Sequence, residues 1–443
     1  CCFCVKYFLS INKFQLEADR ALGWHFFQIG VFLLPSTVFL SGCFLFIAGV
    51  LATFKRSDSY WKDPWNYPLI LIALWMIIGC FRAYSGWLAW VGLANWLPFF
   101  WCFWAFQPYL LTSQNRKRVA LCLISGTVPV VATGLGQIFF GWHGPWQLFN
   151  GLIIWFIDPG GEPIGRLSGL FDYANIAGAW LALVWPFALA ALIQPSLSFK
   201  DRSLVFILAT LIVASLVLTD SRNAWGAFVL AFPFVLGPIS WFWLMPLLLL
   251  SLLPLFLAVL PGINFEIQQF ARILVPERLW SRLNDMKFTG LRSVESTRLH
   301  QWKEAINLVS ERPFFGWGAA AFSVLYSLRE GIWHGHSHNL PLELAVSSGV
   351  PVAVLLVAMV ISLLVISLYR LDLWRVRKTI EYSNNSLFDR AWWTSMLILI
   401  SLHGTDMPLF DSRINIAGWI ILAGLRCLIL FPHAIKNPLT ITE

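Results

Sequence analysis

The chain has 443 residues, of which 58% are hydrophobic and only 12% charged, and its mean hydropathy is +0.69. That balance excludes an ordinary soluble domain. The formal net charge of +8 does not call for a nucleic-acid partner, because much of it sits in short loops between apolar runs.

Uncharged runs of eighteen or more residues recur along the chain. Each is long enough to cross ~30 Å of hydrocarbon at ~1.5 Å per residue. The expected fold is therefore all-α, a polytopic transmembrane helical bundle of eleven or twelve spans with one long extracytoplasmic loop containing short helices. The 25 tryptophans suit a bilayer setting, since indole rings favour the interface.

The chain opens on Cys1, Cys2 and Cys4, formally a CxxC but short of the ligands a metal needs. It carries no initiator Met and no evident cleavable signal peptide. Cys43, Cys80, Cys102, Cys122 and Cys427 fall in or beside apolar runs, so no disulfide framework is implied. The block 24–53 is broken at Pro35-Ser36 and reads as two short crossings or one kinked one. Further spans are expected at 66–83, 86–111, 119–141, 170–193, 203–219, 223–237, 238–260, 341–369, 391–408 and 412–432. Three segments result: N-terminal helices over 1–260, an extracytoplasmic loop over 261–340, and C-terminal helices with a tail over 341–443.

Basic residues set the orientation. Lys55-Arg56 with Lys62, Arg116-Lys117-Arg118, Lys200 with Arg202, and Arg370, Arg375, Arg377 and Lys378 all mark cytoplasmic loops. Every span count between them is even if 24–53 crosses twice and 223–260 is a hairpin. Both termini then lie inside, and the long loop lies outside. From 262 to 340 it holds seven arginines, two lysines and seven acidic residues, so local placement rather than bulk charge must do any anion binding.

Three polar elements are expected to meet at the outer surface. Ser221-Arg222 joins two spans, where the arginine either snorkels or contacts an anion. Ser296 or Thr297 caps a helix with an apolar face of Leu299, Trp302, Ile306 and Val309, ended by Pro313 and a turn at Gly316-Trp317-Gly318. Arg298 lies on its first turn, as a solvated surface residue or an anion contact. His338-Asn339 closes the loop, and an imidazole there can act as a base. His334, His336 and His338 at alternate positions read alternatively as zinc ligands on an extended strand, without a fourth ligand beside them. Between the last two spans stand His403, Asp406, Asp411 and Arg413. The aspartates there either bind sugar hydroxyls and orient Arg413, or form a salt-bridged helix end.

Together these residues resemble the O-antigen ligase and polymerase superfamily of bacterial inner-membrane glycan enzymes. The most specific match is H-[NSQ]-x9-G, here His338-Asn339 followed by Gly349. The ligases often continue G-x-x-[GTY], from which Val352 departs. Ser221-Arg222, Arg298 with Trp302, and Arg312-Pro313-Phe314-Phe315-Gly316-Trp317-Gly318 are also similar. The run from Arg166 through Gly169 and Phe171 to Asn175 looks like the family's R-x2-G-x-F…N element. The resemblance spans roughly 160–430.

The resemblance implies a donor glycan on a polyprenyl diphosphate, presented at the periplasmic face of the inner membrane. The acceptor it implies is a lipid-A core or a growing polysaccharide. It makes Arg222 and Arg298 diphosphate-binding residues and His338 the catalytic base, with Arg166, Asn175, Asp406, Asp411 and Arg413 as auxiliaries. Arginine suits a diphosphate through bidentate, charge-assisted contacts. Neutralising the leaving group this way would replace a divalent metal, so no metal and no cofactor are expected. Membrane lipids are the remaining expected partner, and nucleic acid is not one. The H-N-x9-G match favours ligase over polymerase. A protein O-glycosylating variant often has a further C-terminal domain, whereas this chain ends at Glu443, soon after its last span. A different class, an inorganic-carbon transporter, should place ionisable residues at mid-membrane. Here they cluster at the outer interface, and the nearest exception, Arg82, falls at a span end.

Overall fold

The computed structural model describes residues 22–56, 59–195, 197–283, 297–371 and 384–430. The Cys1–Cys4 start, Ser296, and the basic group at Arg375, Arg377 and Lys378 lie outside them. The chain is an all-α polytopic membrane protein. Eight described helices are long and apolar enough to cross a membrane, and three shorter apolar helices, Leu22–Leu33, Asn66–Cys80 and Arg222–Leu236, join them. The 20-residue Asn384–His403 helix packs among them.

The first half comprises α1 (Leu22–Leu33), α2 (Val38–Lys55), α3 (Asn66–Cys80), α4 (Trp87–Gly92), α5 (Leu97–Ala105), α6 (Ser113–Gly126) and α7 (Val128–Phe139). A two-stranded hairpin follows, pairing Trp146–Leu148 with Ile153–Trp155 antiparallel, Trp146 opposite Trp155. Next come α8 (Ala174–Ile193), α9 (Phe199–Leu218), α10 (Arg222–Leu236) and α11 (Pro238–Val259). The long loop holds α12 (Phe265–Leu274), α13 (Glu277–Leu283), α14 (Arg298–Glu311) and α15 (Ala321–Glu330). The chain then forms α16 (Leu340–Ser348), α17 (Val350–Arg370), α18 (Asn384–His403) and α19 (Ser412–Leu430).

The 24–53 block is two helices, as one of its two readings expected. Pro35 and Ser36 fall in the turn, and Ser41 Oγ donates to the Gly30 carbonyl at 2.7 Å across the pair. Three expected spans are subdivided. The 86–111 stretch contains α4, a 3₁₀ turn at Leu93–Asn95, α5 and the short Gln107–Leu110 helix, because Pro98 and Pro108 each begin a new helix. The 119–141 span starts earlier, at Ser113, and breaks before Pro129. Of the 341–369 stretch only α17 is long and apolar enough to cross a membrane, and α16 is a separate short helix before the Gly349 break. The 391–408 span becomes Asn384–His403, so Asp406 stands in the following turn.

Alanine-rich α8 is the centre of the bundle. Small side chains let neighbouring backbones approach, and Ala177 through Ala191 is buried throughout. The α19 helix is buried almost as completely, with Trp419 at 5% exposure. By contrast α11 buries only Ser240, Leu244 and Ala258, while Leu247, Leu249, Leu250 and Leu253 face outward, as suits contact with lipid.

Contacts sort the helix ends into two sides. On one, Arg426 pairs with Asp63 at 3.0 Å, Arg116 pairs with Asp389 at 2.8 Å, Arg56 donates to Trp104 O at 2.7 Å, and Arg390 donates to Leu236 O at 3.2 Å. On the other, Asn339 Nδ2 donates to Gly404 O at 2.9 Å, and Asn415 Nδ2 donates to Asn95 O at 3.2 Å. The described basic loops at Lys55-Arg56 and Arg116-Lys117-Arg118 thus share one end of the bundle. The His338 region occupies the opposite end.

Two glycines join the loop to the membrane helices. Gly349 has φ +92°, and an added Cβ would run into the Phe314 carbonyl. Val350 N–H reaches Pro313 O at 2.8 Å beside it. Gly316, φ +66°, leaves no room for a Cβ against the Val346 carbonyl, and Trp317 N–H donates to that same oxygen at 2.7 Å. The Pro313–Gly318 turn is thereby bound to the α16–α17 break, which fixes the loop's exit onto the bundle.

Candidate active site

The site is built from short polar segments at helix ends. Thr297 caps α14, its hydroxyl accepting from His300 N–H at 3.4 Å, and this places Arg298 at the helix start. Asn339 caps α16 by accepting from Leu342 N–H at 3.0 Å, while its amide holds Gly404. These two contacts bring the end of the long loop onto the turn after α18. That turn is closed by Asp406 N–H donating to Leu402 O at 2.8 Å.

Asp406 is the centre of the cluster. His338 Nδ1 lies 2.9 Å from its Oδ1, which also accepts from Met407 N–H at 2.9 Å. On the Oδ2 side, Arg298 donates at 3.4 Å and Asn175 Nδ2 at 3.5 Å. Arg166 Nη2 then donates to Asn175 Oδ1 at 2.5 Å, and its Nε to Thr219 O at 2.8 Å. A chain of polar contacts therefore runs from the end of α9 through Arg166, Asn175 and Asp406 to His338. The expected His338, Arg298, Arg166, Asn175 and Asp406 come together here from four distant parts of the sequence.

Arg222 opens α10, three residues after the Thr219 carbonyl that Arg166 holds, and is half-buried at the same end of the bundle. The positive end of a 15-residue helix favours an anion there. Asp411 and Arg413 form a separate unit. Their ion pair closes at 2.6 Å with both partners nearly buried. Arg413 also donates to Leu170 O at 2.6 Å and stacks 3.9 Å over the Phe171 ring. This matches the salt-bridged helix end, and it anchors α19 to the 166–171 segment.

Electrostatics favours a charged aspartate beside an imidazole. Burial works to raise the Asp406 carboxyl, but the His338 hydrogen bond, the charges of His338 and Arg298, and Met407 N–H outweigh it. The carboxyl is held at about 2. His336 sits with its ring 4.3 Å from that of His338 and accepts from His338 N–H at 3.2 Å. Burial, and then His338, pushes it down to about 4, so it is neutral at physiological pH. His338 side-chain exposure is 28% and that of Arg298 34%, so both are open to a ligand while Asp406, at 13%, is not.

The three histidines do not form the alternative zinc set. His334 packs edge-on against Tyr326, with ring centroids 5.5 Å apart. Among the described residues, His336, His338 and Asp406 are the group whose ligand atoms lie within 4.8 Å of one another. That group fits a cation poorly. Both Asp406 oxygens are already engaged, His336 Nδ1 accepts a backbone N–H, and the Arg298 guanidinium puts a fixed positive charge at the same carboxylate.

The face expected on α14 is corrected. Leu299 and Ile306 are exposed at 74% and 56%, whereas Gln301, Glu304, Ala305 and Leu308 are buried. Ala305 and Leu308 pack with Phe322, Tyr326 and Val346, and Glu304 pairs with Arg329 at 2.6 Å. Val309 of the expected stripe still packs against that cluster, and the buried face extends from it to take in the paired Glu304. Pattern reasoning missed Glu304 because an acidic residue reads as solvated. It also missed Glu343, a buried carboxylate that accepts from Ser337 N–H at 2.9 Å.

Residues 204–357, about a third of the chain, match the family model described as O-antigen ligase. That region contains Arg222, Arg298 and the His338-Asn339…Gly349 motif. No curated protein matches the chain. The match supports the O-antigen ligase superfamily, and with it glycosyl transfer of the ligase or polymerase type.

Proposed function

We propose that the chain, proceeding from that superfamily match, transfers a glycan from a polyprenyl diphosphate to a hydroxyl of a lipid-A core or other surface-glycan acceptor, on the periplasmic face of the inner membrane. The observation that carries the reading is the His338–Asp406 contact with Arg298 on the same carboxylate. A base, the group that orients it and an anion-binding arginine then share one partly exposed cluster.

With Nδ1 donating to Asp406, His338 keeps the Nε2 lone pair for a proton. The acceptor hydroxyl loses its proton to Nε2 as its oxygen bonds to the anomeric carbon. The bond from that carbon to the diphosphate oxygen breaks, and its electron pair leaves with the polyprenyl diphosphate. Asp406 stabilises the imidazolium that forms. The Arg298 guanidinium nitrogens beyond the one on Asp406 have no other partner among the described residues, so they can fork onto the departing phosphates. Arg222, at the head of α10, supplies the second cation. Fixed guanidinium charge takes the part a divalent ion plays elsewhere, and transfer is expected to continue in EDTA.

The surface-glycan profile of a deletion strain tests this reading. Lipid-A core free of polymer is the expected result. Core carrying single repeat units would make the chain a polymerase of the same superfamily. An unchanged profile would overturn glycosyl transfer and leave the transporter alternative.

A further inference from the structure

His338 stands in a conformation that its own chain does not favour. Its φ is +53°, in the left-handed region, where a residue with a Cβ is held only if its surroundings over-determine it. Asn339 secures the C-terminal side, through Gly404 and Leu342. The N-terminal side depends on Ser337, which is fully buried and whose N–H must find an acceptor. It finds the carboxylate of Glu343, at 2.9 Å to Oε2.

Glu343 has no place in the transfer chemistry. It is itself only 5% exposed, on the first turn of α16, and it lines a mostly apolar cavity of about 70 Å³ with Leu340, Leu344, Met407 and Phe410 among others. Burying an acid there is unfavourable. Burial pushes its carboxyl up to about 6, against the pull of the Ser337 hydrogen bonds and the charge of His338. An apolar residue would fill this position without that penalty but would leave Ser337 N–H unpaired. No other described side chain accepts from that N–H.

We propose that Glu343 is a positioning residue for His338, acting through Ser337 to hold the imidazole on Asp406 in the left-handed turn. The proposal rests on the glycosyl-transfer reading. Its consequence is a separation of functions: the donor diphosphate binds to arginines on α10 and α14, which Glu343 does not touch, while base alignment depends on it. A misplacement near 1 Å at a reacting group costs about 100-fold in rate.

The test is steady-state transfer from a polyprenyl-diphosphate glycan by full-length protein in proteoliposomes, with binding of polyprenyl diphosphate measured separately. Glu343→Gln keeps an oxygen acceptor for Ser337 N–H and is expected to retain kcat within about threefold. Glu343→Leu removes the acceptor and is expected to lose about 10–100-fold in kcat, with donor KM and diphosphate binding unchanged. If the leucine variant does not fold, Glu343→Asp, which withdraws the carboxylate by one methylene, is expected to give the same split. Wild-type kcat in the folded leucine or aspartate variant would overturn the proposal. So would a rise in donor KM without a fall in kcat, or a glutamine variant as poor as leucine. A wild-type protein that transfers nothing would overturn the reading of the site, and this proposal with it.

Discussion

At the residue scale, the cluster around Asp406 makes three separable demands. Arg298→Ala should reduce transfer by about 10²–10³-fold, the usual effect of removing one donor to developing charge. Arg298→Lys should recover only part, since an ammonium lacks the planar fork. Full activity in the alanine variants of both Arg298 and Arg222 would mean that the diphosphate is held elsewhere. Glu343 makes a second demand, on stability. Its folded value of about 6 lies above the ordinary 4.5, so between these pH values the folded state holds more of the proton than the unfolded chain does. Stability contributed by the neutral acid is present below about 4.5, is lost as pH rises to about 6, and stays lost above. The difference is about 2 kcal/mol. Glu343→Gln should therefore raise the melting temperature at pH 7.5 and flatten its dependence between pH 4.5 and 6. An unchanged slope would show that the carboxyl is not buried in the folded protein. The third demand is neutrality of His336, which burial and His338 secure.

At the scale of elements, the most informative unit is the break between α16 and α17. Gly349 has φ +92° and ψ 160°, a region open essentially to glycine alone. Gly349→Ala should destabilise the fold by about 1–3 kcal/mol from backbone strain alone, with more from the clash at the Phe314 carbonyl. Melting in detergent would show it, and a wild-type transition would mean that the loop does not lie against this junction. The motif glycine was visible in the sequence as a spacing, but its reason was not, since the carbonyl that excludes a side chain comes from 35 residues earlier. Helices were legible wherever the apolar run was long. Their internal breaks at Pro98, Pro108 and Pro129 were less so, because a proline at a helix start and one inside a helix look alike in sequence: Pro186 lies inside α8 without ending it. Site residues followed the same rule. His338 and Arg298 were singled out by the family resemblance, local sequence leaving each open to a plainer reading, whereas Glu304 and Glu343 required partners that only tertiary contact reveals.

At the scale of the molecule, sidedness organises everything else. Buried ion pairs, Arg116 with Asp389 and Arg426 with Asp63, tie helices together at the end opposite His338. Removing Asp389 alone should cost about 3–5 kcal/mol, because it leaves Arg116 as an uncompensated buried charge. Reduced yield and melting temperature of Asp389→Ala, with the Arg116→Leu, Asp389→Leu double variant less affected, would check this; equal losses would contradict it. Reporter fusions after Arg202 and after Gly331 should report opposite sides of the membrane. Agreement between them would dissolve the common outer site. The central claim is that His338 takes the acceptor proton while arginines hold the donor. Its most direct measurement is a single-turnover transfer assay on reconstituted His338→Ala, alongside binding of the same polyprenyl-diphosphate donor. The account expects transfer to fall by about 10²–10⁴-fold with donor affinity unchanged, and EDTA to have no effect on the wild type. Wild-type rate in His338→Ala would contradict it, as would loss of donor binding in step with loss of transfer.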